Sequence, residues 1–163
     1  MTNQTLCRRA LLLGAGAALA ACARGGDAGV SRADTSAIPL HPNETPELRA
    51  LINQYADIHD IPVTLLHRVI IRESTHNPAA RNGPYYGLMQ ILPQTARSMG
   101  FSGEPRDLLD AETNLRYAGR YLRGAWLLSD GDEATAVRWY ARGYYYEAKR
   151  RNMLVETGLR APA

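Results

Sequence analysis

Apolar residues recur along this chain at helical spacing, interrupted by short polar stretches rich in Gly and Pro. From Thr45 onward that pattern predicts a succession of helices with very little strand. Thr45 and Pro46 form a cap and first-turn pair ahead of Leu48, Leu51, Ile52, Tyr55 and His59 on one face. Pro62 opens a second helix, striped by Val63, Leu66 and Ile70. Residues 77–90 read as a loop, with Asn82-Gly83-Pro84 as turn chemistry and Tyr85-Tyr86 as a short extended piece. Pro93 starts another helix and Gly100 stops it. Asp110 caps a long helix whose stripe runs Leu115, Ala118, Leu122 and Ala125, and Ser129-Asp130-Gly131-Asp132 breaks it. A final pair of helices, 133–142 and 144–154, is punctuated by Gly143. No internal repeat is present, and the fold class is mostly α.

One position departs from this pattern. The step that follows Val63, Leu66 and Ile70 on the second helix lands on Glu73, which puts a carboxylate at the end of an apolar stripe. Burial disfavours the charged form and raises a carboxyl pKa, and a general acid working near neutral pH needs such a shift. A Glu near a helix end, with Pro78 soon after, is also an ordinary solvated residue when taken alone. Its surroundings favour chemistry.

Glu73-Ser74 is followed by Asn77-Pro78-Ala79-Ala80, then Gly87-Leu88-Met89-Gln90-Ile91-Leu92-Pro93-Gln94-Thr95-Ala96, then Met99-Gly100. The succession continues through Asn114, Tyr121-Leu122 and Ala136 to Tyr140, and it resembles the core signature of lytic transglycosylases with the lysozyme-like fold. The resemblance covers nearly everything from Pro46 onward. It implies a single lysozyme-like α+β domain with minimal β structure, acting on peptidoglycan glycan strands. Glu73 is the implied catalytic residue. Gln90 is the implied glycan contact, Gly87 a close-approach position that needs no side chain, and Tyr140 a hydroxyl beside the Glu, able to orient its carboxyl. Ser74, Met89 and Leu92 complete the implied substrate-binding set, although Leu88 and Met89 read equally well as packing. Leu92 stands where many relatives carry Met, and Ala118 where relatives often carry Gly. Tyr140-Ala141-Arg142-Gly143 departs from the usual Tyr-Asn-Ala-Gly and removes an amide from the cleft edge.

Two-carboxylate glycosidases hold a second Asp or Glu across the scissile bond, and no obvious partner for Glu73 occurs here. The resemblance therefore implies a one-carboxylate route that leaves 1,6-anhydromuramoyl ends. A muramidase hydrolysing the same bond and a non-catalytic wall-binding lipoprotein are the alternatives. In Tyr144-Tyr145-Tyr146-Glu147 the tyrosines suit core packing and groove lining equally, while Glu147 reads as a surface charge.

The N-terminal residues read as a targeting segment, with Arg8-Arg9 before an apolar or small run over 10–21. That run is shorter than the roughly twenty residues a membrane-spanning helix needs. Leu19-Ala20-Ala21-Cys22 resembles a bacterial lipobox, which predicts a signal peptide over 1–21, lipidation of Cys22, and a protein held at a membrane in the cell envelope. Cleavage near Ala18-Leu19-Ala20, leaving no anchor, is the other reading. Residues 22–45, rich in Gly, Ala, Ser, Asp and Pro, read as a flexible tether, and 46–163 as the catalytic domain. Both cysteines, Cys7 and Cys22, fall in the targeting stretch, so no disulfide is expected in the domain. Without Arg8 and Arg9 the chain carries 17 basic and 16 acidic residues, and this near-neutral balance gives no indication of nucleic-acid binding. No cofactor or metal is expected. Glu73-Ser74-Thr75-His76 has a di-iron Glu-x-x-His spacing but occurs once, and Arg72 stands where a zinc-protease motif needs its first His. His41, His59 and His67 read as ordinary residues.

Overall fold

The computed structural model describes residues 39–161, so the expected signal peptide, Cys22 and most of the expected tether lie outside the described residues. Helix α1 spans Pro46–Ile58 and α2 Val63–Ser74. The strands β1 (Arg81–Asn82) and β2 (Tyr85–Tyr86) follow, then α3 (Pro93–Ser98), α4 (Ala111–Leu127), α5 (Glu133–Arg142) and α6 (Tyr145–Arg150). A 3-10 turn, Pro105–Leu109, precedes α4.

The helix starts follow from their caps. The Thr45 hydroxyl accepts from the Leu48 N–H at 3.2 Å, Asp110 from Thr113 N–H at 2.8 Å, and Asp132 from Thr135 N–H at 2.7 Å. Each bond satisfies a donor that the first helical turn leaves free, and such a cap contributes about 1 kcal/mol. Two elements differ from the sequence pattern. The last helix ends at Arg150 instead of 154, because Asn152 takes a left-handed φ of 58° and the chain turns. The 3-10 turn, in which the Asp107 carboxylate accepts from Glu104 N–H at 2.8 Å, is too short to show a hydrophobic period.

Helix α4 is the axis of the domain and packs against α1, α3, α5 and the 3-10 turn. Leu115, Ala118, Leu122 and Ala125, the expected stripe, are completely buried. Facing them are Ile52 of α1 and Leu65, Leu66, Val69 and Ile70 of α2, each side chain of Leu or Ile size contributing roughly 1.5–3 kcal/mol when removed from water. Gly119 on α4 gives room to His59, whose ring would lie 2.4 Å from an added Cβ and whose Nε2 bonds to the Leu115 carbonyl at 3.0 Å. His59 is thus a half-buried histidine held by packing and one hydrogen bond.

The segment before α1 differs from a tether. Asn43 Nδ2 donates to the Thr75 carbonyl at 2.9 Å, Arg49 donates to the Pro39 carbonyl at 3.2 Å, and the Glu44 side chain is fully buried. Residues 39–45 are therefore part of the folded domain. No helix among the described residues is long and apolar enough to cross a membrane.

Candidate active site

Helix α2 delivers Glu73 one residue before its end. The helix stops because Thr75 and His76 adopt successive left-handed φ values of 52° and 61°. The Glu73 side chain keeps 23% of its exposure, and Arg72 Nε lies 3.5 Å from its Oε1. Burial pushes the Glu73 carboxyl above its ordinary value, with the Arg72 charge opposing the shift only in part.

The turn after β2 forms the floor of a cleft that Tyr140 also lines. Tyr86 and Ile91 exchange backbone hydrogen bonds at 3.1 Å, closing residues 87–90 into a loop in which Gln90 takes a φ of 47°. Asn114 of α4 holds the loop from beneath. Its Oδ1 accepts from Met89 N–H at 2.9 Å, and its Nδ2 donates to the carbonyls of Tyr86 and Leu108, both at 2.8 Å. From α5, the Tyr140 hydroxyl donates to the Met89 carbonyl at 2.8 Å. Burial, followed by the nearby Glu73 charge, raises the Tyr140 pKa well above the usual phenol value, so the hydroxyl stays protonated. The cleft above this floor has a volume of about 330 Å³. Gln90, Leu92 and Thr95 line one side, and Tyr140, Ala141 and Arg142 the other.

A family model for the transglycosylase SLT domain matches residues 50–153, which takes in α2, the cleft loop and α5. The chain belongs to this family. Domains of the SLT family act on peptidoglycan in the cell envelope. No solved structure matches the chain.

Within this SLT domain the implied site residues fall into distinct places. Gln90, Leu92 and Tyr140 line the cleft, whereas Glu73 is not among its lining residues and is linked to it by the charge it exerts on Tyr140. Met89 is completely buried, so its contribution is its backbone, which accepts from Tyr140 and donates to Asn114. Gly87 answers to the protein itself: with φ of 75°, an added Cβ would lie 2.2 Å from the Leu108 carbonyl and 2.3 Å from Asn114 Nδ2. Gln90 donates its amide to the carbonyls of Ala80 and Gly87 at 3.0 and 2.8 Å, which fixes the side chain against the loop. The Ser74 hydroxyl turns back to the Ile70 carbonyl at 3.4 Å. The Tyr140 hydroxyl gives its proton to the Met89 carbonyl, so toward any other partner its oxygen acts as an acceptor.

The tyrosine cluster divides between two roles. Tyr144 is buried, stacks on Tyr121 with ring centroids 4.6 Å apart, and donates to the Tyr121 carbonyl at 2.8 Å. Tyr145 and Tyr146 are exposed. Glu147, its side chain only 14% exposed, is paired with Arg150 and Arg151. Asn114 is the residue whose role the motif did not reveal, since the resemblance placed it without saying what it holds.

Tyr140→Phe removes the hydroxyl from a buried carbonyl. We expect a loss of about 1–2 kcal/mol of stability together with slower turnover, because the floor and Glu73 lose their common neighbour. Denaturant unfolding and kcat on peptidoglycan check both, and unchanged stability would contradict the bond.

The structure also gathers residues that the spacing kept apart. Next to another face of α2, His67 and His76 meet the buried Glu44. Burial would raise the Glu44 carboxyl, but hydrogen bonds from Arg49 and the His41 amide, with the two imidazoles adding to them, hold it at about 2. Burial lowers His76 to about 4, against the pull of Glu44.

Proposed function

We propose that this chain is a peptidoglycan lytic transglycosylase in which Glu73 serves first as acid and then as base. The observation that carries the reading is a partly buried carboxyl, raised in pKa, whose charge reaches Tyr140 in the wall of a cleft floored by the Gly87–Ile91 turn. Protonated Glu73 gives its proton to the glycosidic oxygen between N-acetylmuramic acid and N-acetylglucosamine, and the bond from that oxygen to C1 breaks. The resulting carboxylate then takes the proton of the muramoyl C6 hydroxyl, whose oxygen closes on C1. Glu73 ends protonated, no water is consumed, and the product carries a 1,6-anhydro ring. Acid and base work of this kind supplies on the order of 10²–10⁴ in rate, so placement of the glycan in the cleft supplies the rest. The substrate reaches the enzyme at the envelope, where lipidation of Cys22 would hold the domain near the wall.

Mass spectrometry of sugars released from purified peptidoglycan tests the reaction. Anhydromuramoyl ends are expected. Reducing ends would make the protein a muramidase, and glycan binding without products would make it a binding module.

The raised pKa sets the sign of the pH dependence. The acid step needs protonated Glu73, so kcat/KM falls as pH rises through the Glu73 pKa, and burial moves that limb toward neutrality. Arg72→Gln removes the opposing cation and shifts the limb to higher pH. A limb at the same pH in this variant would show that another group controls it.

A further inference from the structure

We propose that Glu44, His67 and His76 form a zinc-class metal site, separate from the cleft at Glu73. His67 and His76 meet one buried carboxylate, and the His41 ring lies against His76. His67 Nδ1 and His76 Nε2 are 3.0 Å apart, and each lies 3.8 Å from Glu44 Oε1. A point in the plane of these atoms and equidistant from them is about 2.1 Å from each, within the zinc–imidazole and zinc–carboxylate bond lengths of roughly 2.0–2.2 Å. Tetrahedral zinc spaces its donors by roughly 3.3–3.4 Å, so small opposite shifts, opening the imidazoles and closing the carboxylate, complete the fit.

The surroundings support a ligand. The His76 side chain is only 1% exposed, and the ring nitrogens that face Glu44, His67 Nδ1 and His76 Nε2, also face each other at 3.0 Å, while the opposite nitrogens, His76 Nδ1 and His67 Nε2, have no hydrogen-bond partner among the described residues. A hydrogen bond between the two facing nitrogens uses the proton of one ring and the lone pair of the other, whereas a metal ion takes a lone pair from each. The backbone directs His76 into the cluster through a left-handed conformation that is uncommon outside glycine. Beside the cluster a cavity of about 380 Å³, lined in part by His41, Thr64, Arg68 and Ile71, leaves space for a fourth donor.

The donor set decides the class of ion. Two imidazoles and one carboxylate suit zinc, cobalt, nickel or copper, whereas calcium and magnesium prefer oxygen shells. Arg49 competes, since its guanidinium binds both oxygens of Glu44. A carboxylate offers about four lone-pair sites, so Oε1 can accept from Arg49 and still ligate. A metal here would join the segment before α1 to the middle of α2 and to the turn just after Glu73, a link that the disulfide-free domain otherwise makes only by packing and hydrogen bonds.

The test uses the untagged chain, stripped with a chelator and with Cys7 and Cys22 alkylated so that thiolates do not bind the probe. Cobalt(II) titration followed by absorption is expected to saturate at one ion per chain and to reverse on adding zinc(II). Zinc should raise Tm. His67→Ala, at a half-buried helical position that accepts alanine, should weaken binding by more than about tenfold and abolish the Tm shift while its circular dichroism stays that of the native protein. Failure of the native chain to take up one equivalent would overturn the proposal, as would undiminished binding in folded His67→Ala.

Discussion

Glu73→Gln is expected to lower the rate of anhydromuramoyl release by at least about 10³ while leaving the domain folded. The loss is large because one carboxyl performs two proton transfers, and each acid or base role typically contributes on the order of 10²–10⁴. Glutamine fills the same volume but neither donates a carboxyl proton nor accepts one. The fold is spared because the ionic contact of Glu73 is with an exposed Arg72 at 3.5 Å, and pairs of that kind contribute less than about 1 kcal/mol. The pH dependence of stability gives a sharper signature. A carboxyl whose folded pKa is raised above its unfolded value, near 4.5, adds stability that is fully present below that value and is lost as pH rises through the folded pKa. The two proteins should therefore be equally stable in acid, with the variant gaining relative to the native chain toward neutrality. Calorimetry across pH, paired with product analysis, reads both effects. A variant that keeps a tenth of native turnover would remove Glu73 from the mechanism.

Asn114→Ala should cause the largest loss of stability of any single change at the cleft, about 3–5 kcal/mol. One amide satisfies Met89 N–H and the carbonyls of Tyr86 and Leu108, and truncation strands all three in a region closed to water. Each stranded group costs roughly 1–3 kcal/mol, and the effects are less than additive because the loop relaxes. A fall in Tm of more than about 10 °C is expected. Asn114→Asp separates the two functions of the amide, since it keeps the acceptor for Met89 and loses the donors. It should fall between the native protein and the alanine variant, and a Tm within about 3 °C of native for Asn114→Ala would refute the anchoring role.

Helix starts were the most legible part of this fold, because Thr45, Asp110 and Asp132 announce themselves through short-range capping chemistry. The α4 stripe was equally plain, being continuous and buried on one face. The end of α6 was not, since Leu154 reaches the core from the turns that follow the helix and so mimics another helical step. At the cleft, the resemblance assigned Gly87 and Met89 to the glycan but did not reveal their partners within the protein, Asn114 and Tyr140, because those come from α4 and α5, far along the chain. The histidine cluster was invisible because it joins the approach to α1, the middle of α2 and the turn after it, and no local spacing records that meeting.

The two sides of the cleft consequently tolerate change very differently. On the loop side, Gly87, Met89 and Gln90 are locked to Ala80, Leu108, Asn114 and Tyr140, so alterations there propagate into the fold. On the α5 side, Ala141 and Arg142 are exposed at the rim, with Arg142 resting over the Trp139 ring at 4.2 Å. For the proposed transglycosylase activity, this rim is a natural place to start in retuning which sugars or stem peptides are accepted. Restoring an asparagine at 141 would test whether substrate range can be edited from this rim with the scaffold left untouched.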